Sequence, residues 1–492
     1  MLLLGIDIGT SSIKVSLIDA QTNANIASAQ YPEYESPIIS KKPGWAEQSP
    51  DMWWDHVQQA ILKMHAGRQY DPSDITAIGI AYQMHGLVAI NRLQEVLFAS
   101  IIWCDSRAVE IGEEAFHSIG EERCLSHLLN SPGNFTAAKL AWVKKNQPAL
   151  YEQIDKIMLP GDFIAMKLTG EITTSISALS EGIFWDFKSN QVSEDIMGYF
   201  GFNKDIIPPI HDVFSEHGRL QHSVAEALSL KPGIPVTYKA GDQPNNALSV
   251  NVLEAGEVAA TAGTSGVIYG VSDKITFDKE SRVNTFAHVN HSGTKNRLGV
   301  LLCINGTGIL NKWVKDLFST GTSYPEMNKM ASNVDPGSGG LRVLPFGNGA
   351  ERMLGNKRIG AQFHNIDLNL HTKAHIFRAA QEGIAFAFRY GLDIMRENGM
   401  HPTVIRAGSA NLFLSELFLE AFVNATHVPV ELYMADGSVG AATGAGIGAG
   451  IYHSSKEAFS NFKPMRLIEP DDKKSYESYY QDWLHVLQKQ LG

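Results

Sequence analysis

GIDIGTSSIKV at residues 5–15 and TAGTSGVIYGV at residues 261–271 are the two stretches that decide the fold. In each, an apolar, β-rich run reaches a short loop of Gly, Thr and Ser, and a second β-rich run leaves it. This is the pattern of a hairpin with a tight loop. The loop that begins at Gly9 recurs almost unchanged at Gly263, about half a chain length later. The repeat predicts two halves that each open with the same hairpin.

Both loops have the chemistry of an anion site. Gly9 and Gly263 leave room for a phosphate oxygen, and the hydroxyls of Thr10, Ser11 and Thr264 stand beside free backbone amides. Two such loops that face each other could grip a polyphosphate. The sequence has no Walker A motif, so we expect any nucleotide to be held in another way.

The length and composition bound the architecture. A chain of 492 residues exceeds the size at which one hydrophobic core keeps growing, which predicts two large domains. We place them at 1–246 and 247–492, with a cleft between them. The net charge of −11 argues against a protein that binds the phosphate backbone of nucleic acid.

The cysteines and the N-terminus indicate the compartment. Cys104, Cys124 and Cys303 are isolated, so they form neither a metal-binding spacing nor a disulfide framework. The apolar run at residues 1–4 is too short for a signal peptide or a membrane span. We expect a cytoplasmic protein without a membrane partner. The oligomeric state is left open, with a homodimer among the alternatives.

Helix-like and strand-like patterns alternate along the chain. An amphipathic helix is predicted at 49–65, a strand at 75–83, a long helix at 372–395 and a strand at 403–408. The glycine-rich stretch at 437–452 does not match a dinucleotide fingerprint, and we interpret it as a helix that packs closely through small residues. Together these patterns predict an α/β fold.

Two carboxylates and a lysine lie near the loops. Asp7 precedes the first loop, where Mg²⁺ would bridge it to phosphate oxygens, although an Asp that caps a turn is an equal alternative. Lys14 would meet a phosphate, or be an exposed surface charge. Asp242 lies in a predicted turn at 241–246 in the interdomain cleft. It is placed there to accept a proton from an attacking hydroxyl, and a structural turn residue is the alternative.

Further polar residues follow two predicted strands. Gln83, Met84 and His85 come at the end of the strand 75–83, and Asp105 and Arg107 follow another apolar run. The carboxyl ends of strands in α/β sheets present the side chains that contact ligands. Such groups suit a polyhydroxylated ligand that needs many donors and acceptors. His85 alone would be read as a structural histidine.

These residues carry a resemblance to a known family. The chain resembles the FGGY carbohydrate kinases over essentially its whole length, and within them the members that phosphorylate the ketopentose xylulose. The motifs that carry the resemblance are GIDIGTSSIKV, PGWAEQSPDMWW, YQMHG, IIWCDSR, FTAAKLAWVKKN, LPGDFIAMKLTGE, AGDQPNNA and TAGTSGVIYGVS. Asn134, Asn365 and Gln381 depart from the family signatures. The resemblance implies two actin-like, ribonuclease H-like domains with ATP and sugar between them.

The resemblance also implies roles for individual residues. Asp242 would be the catalytic base, and Asp7 the carboxylate on the magnesium side. Phosphate contacts would come from Gly9, Thr10, Ser11, Lys14, Gly263 and Thr264, adenosine contacts from Gly408 and Asn411, and sugar contacts from Met84, His85, Gln83 and, more weakly, Asp105.

The implied reaction is transfer of the γ-phosphoryl group of ATP, with Mg²⁺, to O5 of D-xylulose. Within the same family, ribulose, gluconate and glycerol remain alternative substrates. Outside it, an actin-like or chaperone ATP-binding protein and a sugar-responsive repressor share related folds. We expect neither, because the chain starts directly on the first strand and ends soon after the second domain.

Overall fold

The computed structural model describes residues 1–473 and 475–492, and it is organised around two mixed β-sheets. The first half of the chain forms a five-stranded sheet and the second half a seven-stranded sheet. Helices cover both sheets. Among the described helices, none combines the length and the apolar composition needed to cross a membrane.

The elements of the first half alternate strands and helices. The strands are Leu2–Ile8 (β1), Ile13–Asp19 (β2), Asn25–Tyr31 (β3), Glu47–Gln48 (β4), Ile75–Tyr82 (β5), Val88–Ile90 (β6), Ser100–Ile101 (β7), Lys156–Met158 (β8), Trp185–Asp186 (β9), Gln191–Val192 (β10) and Val236–Gly241 (β11). The α-helices are Pro50–Ala66 (α1), Val109–Ile119 (α2), Glu121–Leu128 (α3), Thr136–Asn146 (α4), Pro148–Tyr151 (α5), Pro160–Thr169 (α6), Ile176–Glu181 (α7), Glu194–Phe200 (α8), His222–Ala227 (α9) and Asp242–Ser249 (α10).

The second half continues the alternation. Its strands are Glu257–Ala262 (β12), Gly266–Ser272 (β13), Asn284–Ala287 (β14), Leu298–Ile304 (β15), Arg342–Phe346 (β16), Gly360–His364 (β17), Val404–Gly408 (β18), Val430–Tyr433 (β19) and Arg466–Ile468 (β20). Its α-helices are Gly308–Phe318 (α11), Tyr324–Ala331 (α12), Lys373–Glu397 (α13), Glu416–Thr426 (α14), Gly437–Gly448 (α15), Ser455–Ala458 (α16) and Glu477–Leu491 (α17).

The two sheets repeat one strand arrangement. The first sheet has the order β11-β5-β1-β2-β3, and the second contains β19-β18-β12-β13-β15 at its centre. In both, three antiparallel strands are followed by two parallel ones. The hairpins predicted from the repeated loop are therefore confirmed as β1–β2 and β12–β13, and so is the duplicated α/β fold.

Local signals explain the helices that cover the sheets. Ser49 caps α1, because its hydroxyl accepts a hydrogen bond from the amide of Met52 at 3.4 Å. The apolar face of α1 then buries Trp53, Val57 and Ile61 against the first sheet. The predicted helices at 49–65, 372–395 and 437–452 correspond to α1, α13 and α15.

Two helices cross between the halves. α10 follows the first sheet in the chain, yet it contacts strands of both sheets. α15 belongs to the second half, yet it packs on β1, β2, β5 and β11 of the first sheet. Asp242 was expected in a turn, and this was wrong, since it begins α10. Pro244 does not prevent the helix, because it falls in the first turn, where a helix tolerates proline.

Glycines allow α15 to approach the first sheet closely. A Cβ atom on Gly5 of β1 would collide with the carbonyl oxygen of Ser438, and one on Gly79 of β5 with that of Ala441. Backbone therefore packs on backbone, as the small-residue composition of α15 predicted. The predicted boundary between residues 246 and 247 lies within α10.

A second contact between the halves covers the edge of the seven-stranded sheet. β14 is the outermost strand, and side chains of the first half pair with its backbone. Ser177 donates to the carbonyl of Ala287 at 2.8 Å, and the amide of Ala287 donates to Ser180 at 2.9 Å. Asn130 exchanges two hydrogen bonds with the backbone of Thr285. We call this contact the α7–β14 seam.

Candidate active site

Asp7 lies at the end of β1, beside the first loop and opposite Lys14 in the β1–β2 register. Burial and, to a lesser degree, the charge of Asp436 raise the pKa of Asp7 to about 6, against the opposing effect of Lys14. The positive charge of Lys14 therefore does not offset the cost of ionising the Asp7 carboxyl group. The site favours an additional cation.

Lys14 pairs with Asp436, a residue that the sequence did not single out. Asp436 also caps α15, accepting hydrogen bonds from the amide of Ser438 at 2.9 Å and from its hydroxyl at 2.6 Å. Burial opposes ionisation of Asp436, but the bonds from Lys14 and Ser438 outweigh it and lower the pKa of its carboxyl. The first hairpin is thus tied to the start of the helix that crosses from the second half.

Asp242 is the first residue of α10, which lies between the two sheets. Its side chain is partly exposed. Burial and, to a lesser degree, the negative charge of Asp7 raise the pKa of Asp242 to about 7, against the opposing effect of hydrogen bonds at Gln243. A carboxyl group with this pKa is suited to act as a general base near neutral pH.

The first loop is held by side chains rather than left open. Gln48 donates to the carbonyl of Thr10 at 2.8 Å, and the Thr10 hydroxyl donates to Gln83 at 3.2 Å. The indole of Trp103 donates to the same hydroxyl at 2.9 Å. Gln83 is buried and also donates to Gln48 at 3.0 Å. Gln83, which the sequence predicts as a sugar contact, supports the loop from this buried position, and its contact with a sugar stays a prediction.

The second loop lines a cleft of about 910 Å³. The carbonyls of Gly263 and Thr264 accept hydrogen bonds from the first two amides of α11, at 2.9 and 3.1 Å. Asn411 has φ of 55° and brings its amide to 3.5 Å from the position that a Cβ on Gly263 would occupy. The cleft is lined by Ala262, Gly263, Thr264, Gly308, Ile309, Asn311, Lys312, Tyr324, Pro325, Asn328, Lys329, Ser332, Asn411, Leu412, Leu414, Ser415, Glu416 and Leu417.

The predicted nucleotide contacts thus divide between two places. Gly263, Thr264 and Asn411 line the cleft of the second half. Gly9, Thr10, Ser11 and Lys14 belong to the first hairpin, next to Asp7. Gly408 ends β18 and lies beside Ala435, outside the residues that line the cleft.

His85 lies three residues beyond the end of β5 and is held on several sides. Its ring packs between Phe135 and Phe286, with centroids at 4.8 and 5.3 Å. The ammonium of Lys139 donates to its carbonyl at 2.8 Å. Burial, together with the charge of Lys139, lowers the pKa of His85 to about 3. The ring is therefore neutral and fixed, and Met84 lies beside it against Gly241.

Asp105 was expected as a weaker sugar contact, and the structure gives it another partner. The side chain is fully buried. Its carboxylate accepts from the guanidinium of Arg107 at 2.7 Å and from the amide of Ala46 at 2.6 Å. Arg107 in turn stacks on Trp45, with its guanidinium carbon 3.8 Å from the ring centroid. The bonds at 2.7 and 2.6 Å both go to Oδ2, and Oδ1 accepts from the amide of Arg107 at 2.8 Å, so Asp105 takes part in a buried structural network.

A separate group of possible metal ligands is satisfied internally. His127, Asp186 and Asp195 bring ligand atoms within 4.8 Å of one another. His127 Nδ1 lies 2.9 Å from the Asp186 carboxylate, and Arg123 donates to both oxygens of Asp195. Asp7 remains the better candidate for a metal ligand.

Sequence reasoning missed Glu181 and Asp436. Glu181 ends α7 and is buried behind His85. Its neighbours in the sequence are mostly small or apolar, so no charge pattern marks it. Asp436 precedes a glycine-rich helix, where an N-cap is the ordinary interpretation.

Comparisons with known proteins identify the family. Residues 2–249 match the N-terminal domain, and residues 258–449 the C-terminal domain, of the FGGY family of carbohydrate kinases. The xylulose kinase of Escherichia coli (strain K12) is 28% identical over 97% of this chain and 96% of its own length.

Two solved structures share the fold. The xylulose kinase from Rhodospirillum rubrum aligns with a TM-score of 0.88 and 24% identity, covering 99% of both chains. A gluconate kinase from Lactobacillus acidophilus aligns with a TM-score of 0.89 and 21% identity, covering 100% of this chain and 98% of that one. The resemblance seen in the motifs is confirmed over both halves, and the chain belongs to the FGGY family of carbohydrate kinases.

Proposed function

We propose that this carbohydrate kinase transfers the γ-phosphoryl group of ATP to O5 of a ketopentose, D-xylulose, to give D-xylulose 5-phosphate. The observation that carries the proposal is Asp242, a partly exposed carboxyl with a pKa of about 7 at the start of the helix between the two sheets. The curated relatives named xylulose kinases, similar over nearly the full length, support the choice of sugar.

Asp242 acts as the general base. Its ionised carboxylate accepts the proton from the sugar hydroxyl as the hydroxyl oxygen attacks the γ-phosphorus. Since phosphoryl transfer asks the protein mainly for positioning and charge stabilisation, a base fixed at a helix terminus suits the task.

The nucleotide lies across the two halves. Gly263, Thr264 and Asn411 line the 910 Å³ cleft, which has room for the adenosine. Thr10 and Lys14, from the first hairpin, approach the phosphates from the other side. Gly9 and Ser11 contribute backbone amides of the same loop, and Gly408 supports the Asn411 segment from the end of β18.

Asp7 is the residue that would hold Mg²⁺. The site fits a cation, because burial and Asp436 leave the Asp7 carboxylate short of positive charge while Lys14 is shared with Asp436. Mg²⁺ bound there would neutralise charge on the phosphates.

Met84 and His85 form the sugar side of the first half. We propose that the halves, 1–246 and 247–492, close on the substrates and exclude water, since water would otherwise compete with the sugar hydroxyl. The α7–β14 seam limits this motion on the side of His85, because it joins the halves there by four hydrogen bonds.

A coupled assay of ADP release tests the proposal. D-xylulose, D-ribulose, L-fuculose, gluconate and glycerol are compared at saturating Mg-ATP, and ³¹P NMR locates the phosphate on the product. We expect the highest kcat/KM for D-xylulose, with phosphate on O5. A higher kcat/KM for gluconate or glycerol would reassign the substrate within the family.

A further inference from the structure

Glu181 is a buried carboxyl group that the mechanism above does not use. Its residue is only 2% exposed. The hydroxyl of Tyr82 donates to its Oε1 at 2.8 Å, whereas Oε2 is buried without a hydrogen-bond partner. Buried polar atoms are nearly always paired, so an unpaired carboxyl oxygen calls for an explanation.

The unpaired oxygen faces the proposed sugar side. Oε2 of Glu181 lies 3.8 Å from Nδ1 of His85. It is also 3.1 Å from the position that a Cβ on Gly241 would take, and the Met84 sulfur is 3.2 Å from that position. Gly241 immediately precedes Asp242. Glu181 therefore lies next to His85, a proposed sugar contact, and next to Gly241, the residue before the proposed base Asp242.

Glu181 is held as a neutral acid. Burial is the largest cause that raises its pKa well above the ordinary range, and the charge of Asp242 adds to the rise. The bond from Tyr82 opposes the rise without reversing it. A neutral Glu181 adds no second negative charge behind Asp242.

The backbone of Glu181 decides which nitrogen of His85 carries the proton. His85 Nδ1 lies 3.0 Å from the carbonyl oxygen of Glu181. That carbonyl belongs to the last residue of α7, where helix carbonyls have no partner within the helix. Nδ1 must be protonated to donate to it, and the neutral ring then has no proton on Nε2. Among the described residues, none hydrogen-bonds to Nε2, and the side chain is 16% exposed.

We propose that Glu181 is a positioning residue for the sugar. Its side chain is anchored by Tyr82, and its backbone carbonyl fixes His85 in the Nδ1-protonated tautomer. Nε2 then accepts a hydrogen bond from a sugar hydroxyl. The proposal rests on the proposed function, because it requires the sugar to bind at His85. It also adds a specificity rule: this position takes a hydroxyl, because a carboxylate offers no proton to Nε2.

Three variants separate the contributions of Glu181. Glu181→Gln keeps an uncharged group whose oxygen can accept from Tyr82, so the KM for D-xylulose should stay within about threefold of wild type. Glu181→Ala and Tyr82→Phe break the anchor and should raise that KM by about tenfold, as expected for the loss of about one buried hydrogen bond. The KM for Mg-ATP should not change.

Tyr480→Phe is the matched control. Its hydroxyl donates to the carboxyl group of Asp393 at 2.8 Å, the same length as the bond from Tyr82 to the carboxyl group of Glu181, but in the second half. We expect this variant to lose stability like Tyr82→Phe and to keep the sugar KM of the wild type. A shared rise in the sugar KM would mean that any lost buried hydroxyl acts through stability, which would overturn the proposal.

The tautomer is measured directly by ¹⁵N NMR of histidine-labelled protein without substrate, with the His85 signals identified by their loss in His85→Gln. Wild type and Glu181→Gln should show Nδ1 protonated, and Glu181→Ala should show a mixture of both tautomers. The proposal is overturned by an Nε2-protonated ring in wild type, by an unchanged tautomer in Glu181→Ala, or by equal loss of sugar binding in Glu181→Gln and Glu181→Ala. If D-xylulose is not a substrate but the tautomers are as expected, the proposed substrate fails and the role of Glu181 stands.

Discussion

Replacing Asp242 with Asn should make the protein more stable at alkaline pH while it slows the enzyme. The pKa of Asp242 is raised from 3.8 to about 7, mainly by burial. Above pH 7 the carboxyl is ionised in both the folded and the unfolded state, and the folded state carries the cost of the buried charge. Between about pH 4 and 7 only the folded state holds the proton, so wild-type stability decreases as the pH rises through this window.

The magnitude follows from the size of the shift. About three pH units at about 1.4 kcal/mol each give an upper limit of about 4 kcal/mol at pH 8. Solvent reaches part of the side chain, and the Asn variant loses about 0.3–1 kcal/mol of favourable interaction between a carboxylate and the N-terminus of α10. We therefore expect Asp242→Asn to gain about 2 kcal/mol at pH 8 and less than about 1 kcal/mol at pH 5.

Urea unfolding followed by tryptophan fluorescence, in chelator-treated buffer at pH 5, 6, 7 and 8, measures this difference. Asp19→Asn is the control of opposite sign. Hydrogen bonds from Thr22 and Gln21 lower the pKa of Asp19, so this variant should lose stability at neutral pH rather than gain it. A gain for Asp242→Asn that is absent, or equal at pH 5 and pH 8, would refute the argument from burial.

Kinetics test the same carboxyl as a base. Wild-type kcat should fall as the pH is lowered and Asp242 becomes protonated, and Asp242→Asn should lose about 10²- to 10⁴-fold in kcat while it still binds Mg-ATP. A folded Asn variant that phosphorylates D-xylulose within about threefold of wild type would remove Asp242 from the mechanism.

Two further predictions concern the substrates. His85→Ala should raise the KM for D-xylulose by about tenfold and leave the KM for Mg-ATP unchanged, and equal changes in both would indicate a purely structural histidine. Gly263→Val should weaken Mg-ATP binding, measured by calorimetry, without unfolding the protein, because the nearest atom to an added Cβ is the Asn411 amide at 3.5 Å. Normal nucleotide affinity in this variant would refute the placement of the phosphates. A substitution at Gly9 offers no such test, because a Cβ there would lie 2.9 Å from the Ser12 carbonyl oxygen and would disturb the loop itself.

The elements with strong periodicity could be predicted from the sequence. The hairpin loops at Gly9 and Gly263 are short, repeated and flanked by β-rich runs, and α1 has a capping serine before an apolar face. The start of α10 could not be predicted, because Gly, Asp, Pro and Asn favour turns unless tertiary packing selects a helix. Two sheets supply that packing here.

The candidate site was predictable where strand ends mark it. Asp7 lies near the end of β1, and His85 follows three residues after the adjacent parallel strand β5, which places both at one edge of the first sheet. Gln83 and Asp105 follow strands in the same way, but neighbouring side chains occupy their polar atoms. Glu181 depends on the packing of α7 against His85 and β14, contacts between segments that are distant in the sequence.

The placement of α15 on the first sheet has a consequence for synthesis. The glycines Gly5 and Gly79 face α15, a helix that comes late in the second half. While the ribosome is making the second half, this face of the first sheet has no cover, and its apolar strands are open to wrong contacts. Because α15 follows β12 to β19 in the chain, the first sheet gains this cover only after most of the second sheet has been translated, and a nascent chain that stalls before residue 437 leaves that face of the first sheet exposed.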